Sequence, residues 1–203
     1  MISIFAHRAL YNNLEHSELG IKYYLDNHFN IEIDLRINSG GVYLSHDRTH
    51  KAISLETICP LLKNSQVLIA LHVKELECVT STIKLLNTYG IKNCFLYAID
   101  YNLVKNMSQN FEVADYVNSN PSQITSKILW CDEIQEKWYS SKRINDLHKQ
   151  GKIIFAVSCE LVKSSTFEQI VQDWKKLIDI GIDGICTNYP LELNKFMAKK
   201  TKI

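Results

Sequence analysis

The sequence predicts an α/β fold, a single compact (β/α)8 TIM barrel, from three observations. Short apolar runs alternate with longer amphipathic ones from end to end, the pattern of repeated strand–helix units. Eight such runs are present in 203 residues, which is near the lower size of an eight-unit parallel barrel. Polar side chains capable of chemistry gather where the runs end at their carboxyl side, the face on which such barrels build their sites. An open doubly wound sheet is the alternative, but the Gly-rich phosphate loop usual to it is missing.

Taken in order, strands are expected at 2–6 (ISIFA), 30–36 (NIEIDLR), 67–74 (VLIALHVK) and 93–98 (NCFLYA), then at 111–115, 127–131, 152–158 and 183–187. GGVYLS, after a Gly-Gly turn, reads as a short extra strand. The clearest helix is 166–180, where Phe167, Ile170, Val171, Trp174, Leu177 and Ile178 recur at three and four to make one apolar stripe. Gly181 stops it, and Gly20 and Gly90 punctuate elsewhere. Ser54 is the N-cap expected for a helix over 54–64, and Pro190 opens a last short one. Tyr23 and Tyr24 fit a face of the first helix, and Trp130, Trp138 and Trp174 are expected to pack. The basic tail 195–203 reads as a solvated helix end. With no linker, repeat or low-complexity tract, 1–203 is expected to be one domain.

Charge is nearly balanced, 23 basic against 22 acidic residues for a net +1, so neither nucleic acid nor an anionic membrane surface is the expected partner. MISIFAHRAL has no basic lead and no small-residue cleavage site, so it reads as a first strand and not as a leader. No apolar stretch approaches the roughly 18 residues that span a bilayer. Six dispersed cysteines without a C-x-x-C pair fit buried free thiols in a reducing cytoplasm better than disulfides or zinc.

IEIDLR, residues 31–36, carries the chemistry. Side chains alternate across a strand, so Glu32, Asp34 and Arg36 share one face, and the aliphatic face opposite must pack on helices. In a barrel the charged face then looks inward, where unpaired carboxylates are costly. A hard divalent cation relieves the repulsion, because carboxylate oxygens are its preferred ligands. Held by Glu32 and Asp34, it would polarise a phosphoryl oxygen. Arg8 offers a planar fork to another oxygen and Lys74 a point charge. His7 and His46 supply a general acid and a general base near neutral pH, with Asp47 orienting its neighbour. His72, on the same strand face as Lys74, also points inward. Together these residues make a phosphodiester-cleaving site.

Four ordered motifs, IFAHRA, IEIDLR, VYLSHD and GIDGICTNYP, resemble the glycerophosphodiester phosphodiesterase family, which is related to the phosphatidylinositol-specific phospholipase C-like barrels. Members open on Ala-His-Arg-Gly, continue with Glu-x-Asp and a His-Asp pair, and close on Gly-x-Asp-Gly-x-x-Thr-Asp-x-Pro. The resemblance implies that His7 and His46 are the catalytic pair, that Arg8 and Lys74 bind phosphate, and that Glu32 and Asp34 bind magnesium or calcium. It also implies attack by a hydroxyl of the substrate itself to form a cyclic phosphate. A small-molecule phosphodiester is the expected partner, and nothing indicates the oligomeric state.

The chain departs from the family pattern at several points. Ala9 stands for Gly, Leu14-Glu15-His16-Ser17 for Pro-Glu-Asn-Thr, and Asn188 for the closing Asp. His72 takes the third metal-ligand position, where the hydrolases have Glu, which opens the site to manganese or zinc. Only RTHKAI separates Asp47 from Ser54, so the family's inserted small subdomain is absent. A barrel that binds a phosphorylated ligand without turnover is the alternative. Sugar-phosphate isomerisation, a third, leaves the His-Arg and His-Asp pairs unexplained.

Overall fold

The computed structural model describes residues 2–49, 51–98, 100–107, 111–117, 124–132 and 138–200. The chain runs β1 (Ser3–Ala6), a 3-10 turn (His7–Ala9), α1 (Glu18–Asp26), β2 (Asn30–Asn38) and β3 (Gly41–Leu44). It continues through α2 (Leu55–Lys63), β4 (Ile69–Val73), α3 (Cys78–Tyr89), β5 (Cys94–Ala98) and α4 (Tyr101–Met107). β6 (Glu112–Val117), β7 (Ile128–Cys131), α5 (Ser141–Lys149), β8 (Ile153–Val157), α6 (Phe167–Asp179), β9 (Gly184–Thr187) and α7 (Pro190–Lys200) complete it. A 3-10 turn, Cys159–Leu161, precedes α6. Each predicted strand is found with its ends moved by no more than a few residues. β2 outruns its expected end because β3 folds back on it, pairing Leu35 with Leu44 through Asn38 with Gly41. Residues 201–203 of the basic tail lie outside the described residues.

The chain forms two compact units. In His7–Ala114, β5, β4 and β2 are parallel neighbours and β3 lies antiparallel on β2. Ile31, Ile33 and Leu35 are fully buried, as are Leu71 and Phe95 on the neighbouring strands and Leu55, Ile58 and Leu62 on α2. In the unit of Met1–Ala6 and Asp115–Ile203, parallel strands follow the order β1, β9, β8, β7, β6. Phe5 meets Trp130 and Phe155 edge-on within it, with centroids 5.4 and 4.9 Å apart. Trp174 is buried too and donates to Ser158 Oγ at 2.9 Å, so both tryptophans pack as expected.

The helix ends follow local chemistry. Thr166 and Gln169 close a capping box at the start of α6, whose Ile170, Trp174 and Leu177 are buried. Ser54 caps α2, accepting from the Thr57 N–H at 3.1 Å, and Ser17 caps α1. Pro60 lies inside α2 on its exposed side, so the carbonyl it leaves without an intrahelical donor faces water. Gly90 ends α3 at φ 70°, where a side chain would be strained.

Gly20 is not a helix stop. It lies within α1, where an added Cβ would come 2.4 Å from the Ala9 carbonyl oxygen. Glycine is needed there because α1 packs directly on the turn that carries His7 and Arg8. Gly20→Ala is expected to destabilise the protein by about 1–3 kcal/mol, read by chemical denaturation. An unchanged midpoint would mean that α1 is free to shift.

All six cysteines are free and buried. Burial pushes the Cys59 and Cys78 thiols up to about 11 and that of Cys94 to about 12, so they stay protonated at neutral pH. Among the described residues, no helix is long and apolar enough to cross a membrane.

Candidate active site

The eight residues singled out for chemistry all belong to the His7–Ala114 unit. Glu32 and Asp34 are both buried, so the charged face of β2 does turn inward. Parallel pairing sets Asp34 beside His72 and Glu32 beside Ala70. His72 Nδ1 lies 3.0 Å and Lys74 Nζ 3.5 Å from Asp34 Oδ1, while Arg8 Nε and His16 Nε2 lie 3.3 and 3.4 Å from Oδ2. Glu32 accepts the Arg8 backbone N–H at 3.0 Å and the Tyr97 hydroxyl at 2.9 Å. The Tyr97 ring stacks on His72, centroids 4.4 Å apart. Arg8 donates through Nη1 to Glu15 at 2.9 Å. Buried His16 accepts the Asp34 backbone N–H at Nε2, which places its proton on Nδ1.

The turn bearing Arg8 and the loop after it hold non-glycine residues in the left-handed region: Arg8 at φ 52°, Ala9 at 45° and His16 at 51°. This strain swings Arg8 and His16 onto Asp34. It also accounts for the glycine that the resemblance expects at position 9, since only glycine adopts that φ without cost.

His46 and Asp47 form a second group, beyond the end of β3. His46 Nδ1 lies 3.0 Å from Asp47 Oδ1, in reach of the orienting contact expected. The pair is tied to β2 by Arg36, whose Nε and Nη2 donate to the His46 carbonyl at 2.8 and 2.6 Å. His7 opens the turn next to Arg8, with its carbonyl accepting from the Leu10 N–H at 3.0 Å. In the other unit, neutral Asn188 has a carboxylate beside it, because its N–H donates to Glu160 at 3.1 Å.

His16, Arg36, Glu75 and Tyr97 are parts of this arrangement that the sequence reading did not assign. Strand alternation carried a signal for Arg36 and Tyr97, since each lies on the face already marked by charge or by its neighbours' pattern. For Glu75, past the end of β4, and for His16, in an irregular loop, no periodic signal exists.

A cation fits the donors present. One ligand atom each from Glu32, Asp34 and His72 lie within 4.8 Å of one another. Asp34 Oδ2 and Arg8 Nε are buried and face each other, and neither has a hydrogen-bond partner among the described residues. Two carboxylates and an imidazole suit a divalent metal, the imidazole favouring manganese or zinc over calcium.

Burial, and then the charge of Asp34, pushes the Glu32 carboxyl up to about 8. Asp34 stays well below the usual carboxylate range: burial opposes this, but His72 and Lys74 prevail. Glu32 is therefore protonated at neutral pH in the metal-free protein, and its folded pKa exceeds the unfolded one. Its contribution to stability is complete below about pH 4.5 and is lost as pH rises toward 8, at about 1.4 kcal/mol per pH unit where steepest. Melting temperature in chelator should fall across that window, and Glu32→Gln should flatten the fall. A Glu32→Gln profile identical to the parent's would refute the assignment.

No protein-family model matches the chain, and no curated protein does. Solved structures do. A glycerophosphodiester phosphodiesterase from Parabacteroides distasonis superposes at TM-score 0.78 with 11% identity, over 98% of each chain. One from Thermotoga maritima superposes at 0.73 with 16% identity, again over 98% of each chain. A Ca²⁺-dependent phosphatidylinositol-specific phospholipase C from Streptomyces antibioticus superposes at 0.60 with 8% identity, over 95% of each. At such identities the likeness is one of fold: this chain has the (β/α)8 barrel fold that its sequence predicts.

Proposed function

We propose that this chain is a metal-dependent phosphodiesterase that cleaves a small glycerophosphodiester-like substrate, with residues 1–203 acting as one cytoplasmic domain. The observation that carries the proposal is the cluster of Glu32, Asp34 and His72 with Arg8 and Lys74 drawn onto the same carboxylate. The glycerophosphodiester phosphodiesterases that share the fold support the reaction class.

A divalent cation held by Glu32, Asp34 and His72 would supply Lewis-acid polarisation of a phosphoryl oxygen. Arg8 and Lys74 bind the remaining phosphoryl charge. Arg8 Nε, already lacking a hydrogen-bond partner, has a donor to give. With Nδ1–H turned to Asp47, His46 presents the lone pair of Nε2. One of His7 and His46 takes the proton of the attacking substrate hydroxyl as the new P–O bond forms. The other gives a proton to the departing alkoxide as the old P–O bond breaks, leaving a cyclic phosphate and a free alcohol. Water can then open the ring with the two roles exchanged.

A barrel that binds phosphate without turnover is the second reading. It is favoured by the way Arg8, Lys74 and His72 converge on Asp34, a set of cationic and polar groups suited to a phosphate. Incubation with glycerophosphodiesters under Mg²⁺, Ca²⁺, Mn²⁺ and Zn²⁺ separates the two, with phosphorus NMR to detect the cyclic product. Turnover with at least one metal is expected, and tight phosphate binding with no turnover under any metal would favour the second. His72→Glu should shift the preference toward Mg²⁺ or Ca²⁺. An unchanged preference removes His72 from the metal shell.

A further inference from the structure

We propose that Arg36 and Glu75 are positioning residues for His46, an inference that rests on the catalytic role proposed for that histidine. His46 lies just past β3, where no ladder partner holds its carbonyl. Arg36 takes that carbonyl in a two-pronged grip, at 2.8 Å from Nε and 2.6 Å from Nη2. Its third contact, Nη1 to Glu75 Oε1 at 2.8 Å, aims the guanidinium plane.

Glu75 is itself fixed from two further sides. Its Oε2 accepts the Ile37 backbone N–H at 3.2 Å, and its Oε1 accepts from Arg48 Nε at 2.8 Å. Glu75 thus binds both the strand that carries Arg36 and the segment that carries His46, closing a loop of charge-assisted hydrogen bonds. Arg36 and Glu75 are partly buried, so the bond between them is better shielded from water than that of exposed Arg48. The contact to His46 is to main chain, so it sets where the residue's Cα stands. The contact to Asp47 sets how the ring is turned. A general acid or base displaced by about 1 Å can lose on the order of 100-fold in rate. An ion pair kept only for stability has no need of a bidentate grip on one carbonyl.

Arg36→Lys tests the geometry, because an ammonium keeps the charge and cannot make the fork. Glu75→Gln tests the aim, because the amide keeps an acceptor for Ile37 and loses the charge. With a glycerophosphodiester and Mn²⁺, each should lower kcat roughly 10- to 100-fold. KM should stay within about 3-fold of the parent's, since phosphate contacts are untouched. In a His46→Ala background, Arg36→Lys should cost no further rate, because it acts through the missing imidazole. Additive losses, or an unchanged kcat, would overturn the proposal.

If the parent turns over no substrate under any of the four metals, the phosphodiesterase reading fails and the positioning claim is read by NMR. The His46 imidazole resonance, assigned by its loss in His46→Ala, should move in Arg36→Lys and in Glu75→Gln, while that of exposed His28 stays put. A His46 resonance unmoved in both variants would overturn the claim independently of activity.

Discussion

Asp34→Asn is expected to abolish turnover, with kcat/KM falling by more than about 10³-fold, and to lower stability by about 3 kcal/mol. No other side chain in the site has so many basic side chains around it. Arg8, His16, His72 and Lys74 all lie within 3.5 Å of its two oxygens. Asparagine keeps the shape and removes the charge, leaving half-buried Arg8 and Lys74 to face a neutral amide. The loss should be partly self-limiting. With the Asp34 charge gone, Glu32 loses one of the two causes that hold its carboxyl up near 8, so it ionises more readily and restores a negative charge. The pH dependence of stability between 4.5 and 8 should flatten accordingly. Urea denaturation of parent and variant at pH 5, 7 and 8 measures both effects. A variant within about 0.5 kcal/mol of the parent at all three would mean that the cations around Asp34 are solvated.

His46→Ala should lower kcat by 10²- to 10⁴-fold, the usual worth of a positioned acid or base, and leave the melting temperature within a few degrees of the parent's. Stability is spared for two reasons. The imidazole is 38% exposed, so little packing is lost, and the Arg36 contact is to the main-chain carbonyl, which alanine retains. This combination distinguishes His46 from Asp34, whose removal should cost both rate and stability. Asp47→Ala should cost less, because it removes the partner of Nδ1 and leaves Nε2 in place. A His46→Ala protein that keeps its kcat to within about 3-fold would remove His46 from the acid–base pair and shift attention to His7.

The legible parts of this molecule are those in which one residue's surroundings follow from its own neighbours in sequence. Ile31, Ile33 and Leu35 alternate with Glu32 and Asp34, and a strand has only two faces, so an inward acidic face followed from six letters. The capping box Thr166–Gln169 and the apolar stripe of α6 are local in the same sense. The role of Gly20 is not legible in the same way, because the atom that excludes a side chain there, the Ala9 carbonyl oxygen, belongs to another turn of chain.

The amino-acid sequence by itself determined the fold class, the positions of the strands, the paired carboxylates on β2 and the identity of the cations and imidazoles in the chain. What the tertiary structure alone decided is who meets whom. Asp34 receives His72 because parallel pairing of β4 with β2 sets the two residues directly side by side. It receives Arg8 and His16 because a left-handed turn folds them back. Arg36, on the same face as the two carboxylates, serves neither of them and holds His46 instead. The physical reason is that alternation gives a side chain its direction but not its partner. The partner depends on contacts between residues distant in sequence, and hydrogen bonds and ion pairs a few ångströms long exist only once the backbone has brought those residues together.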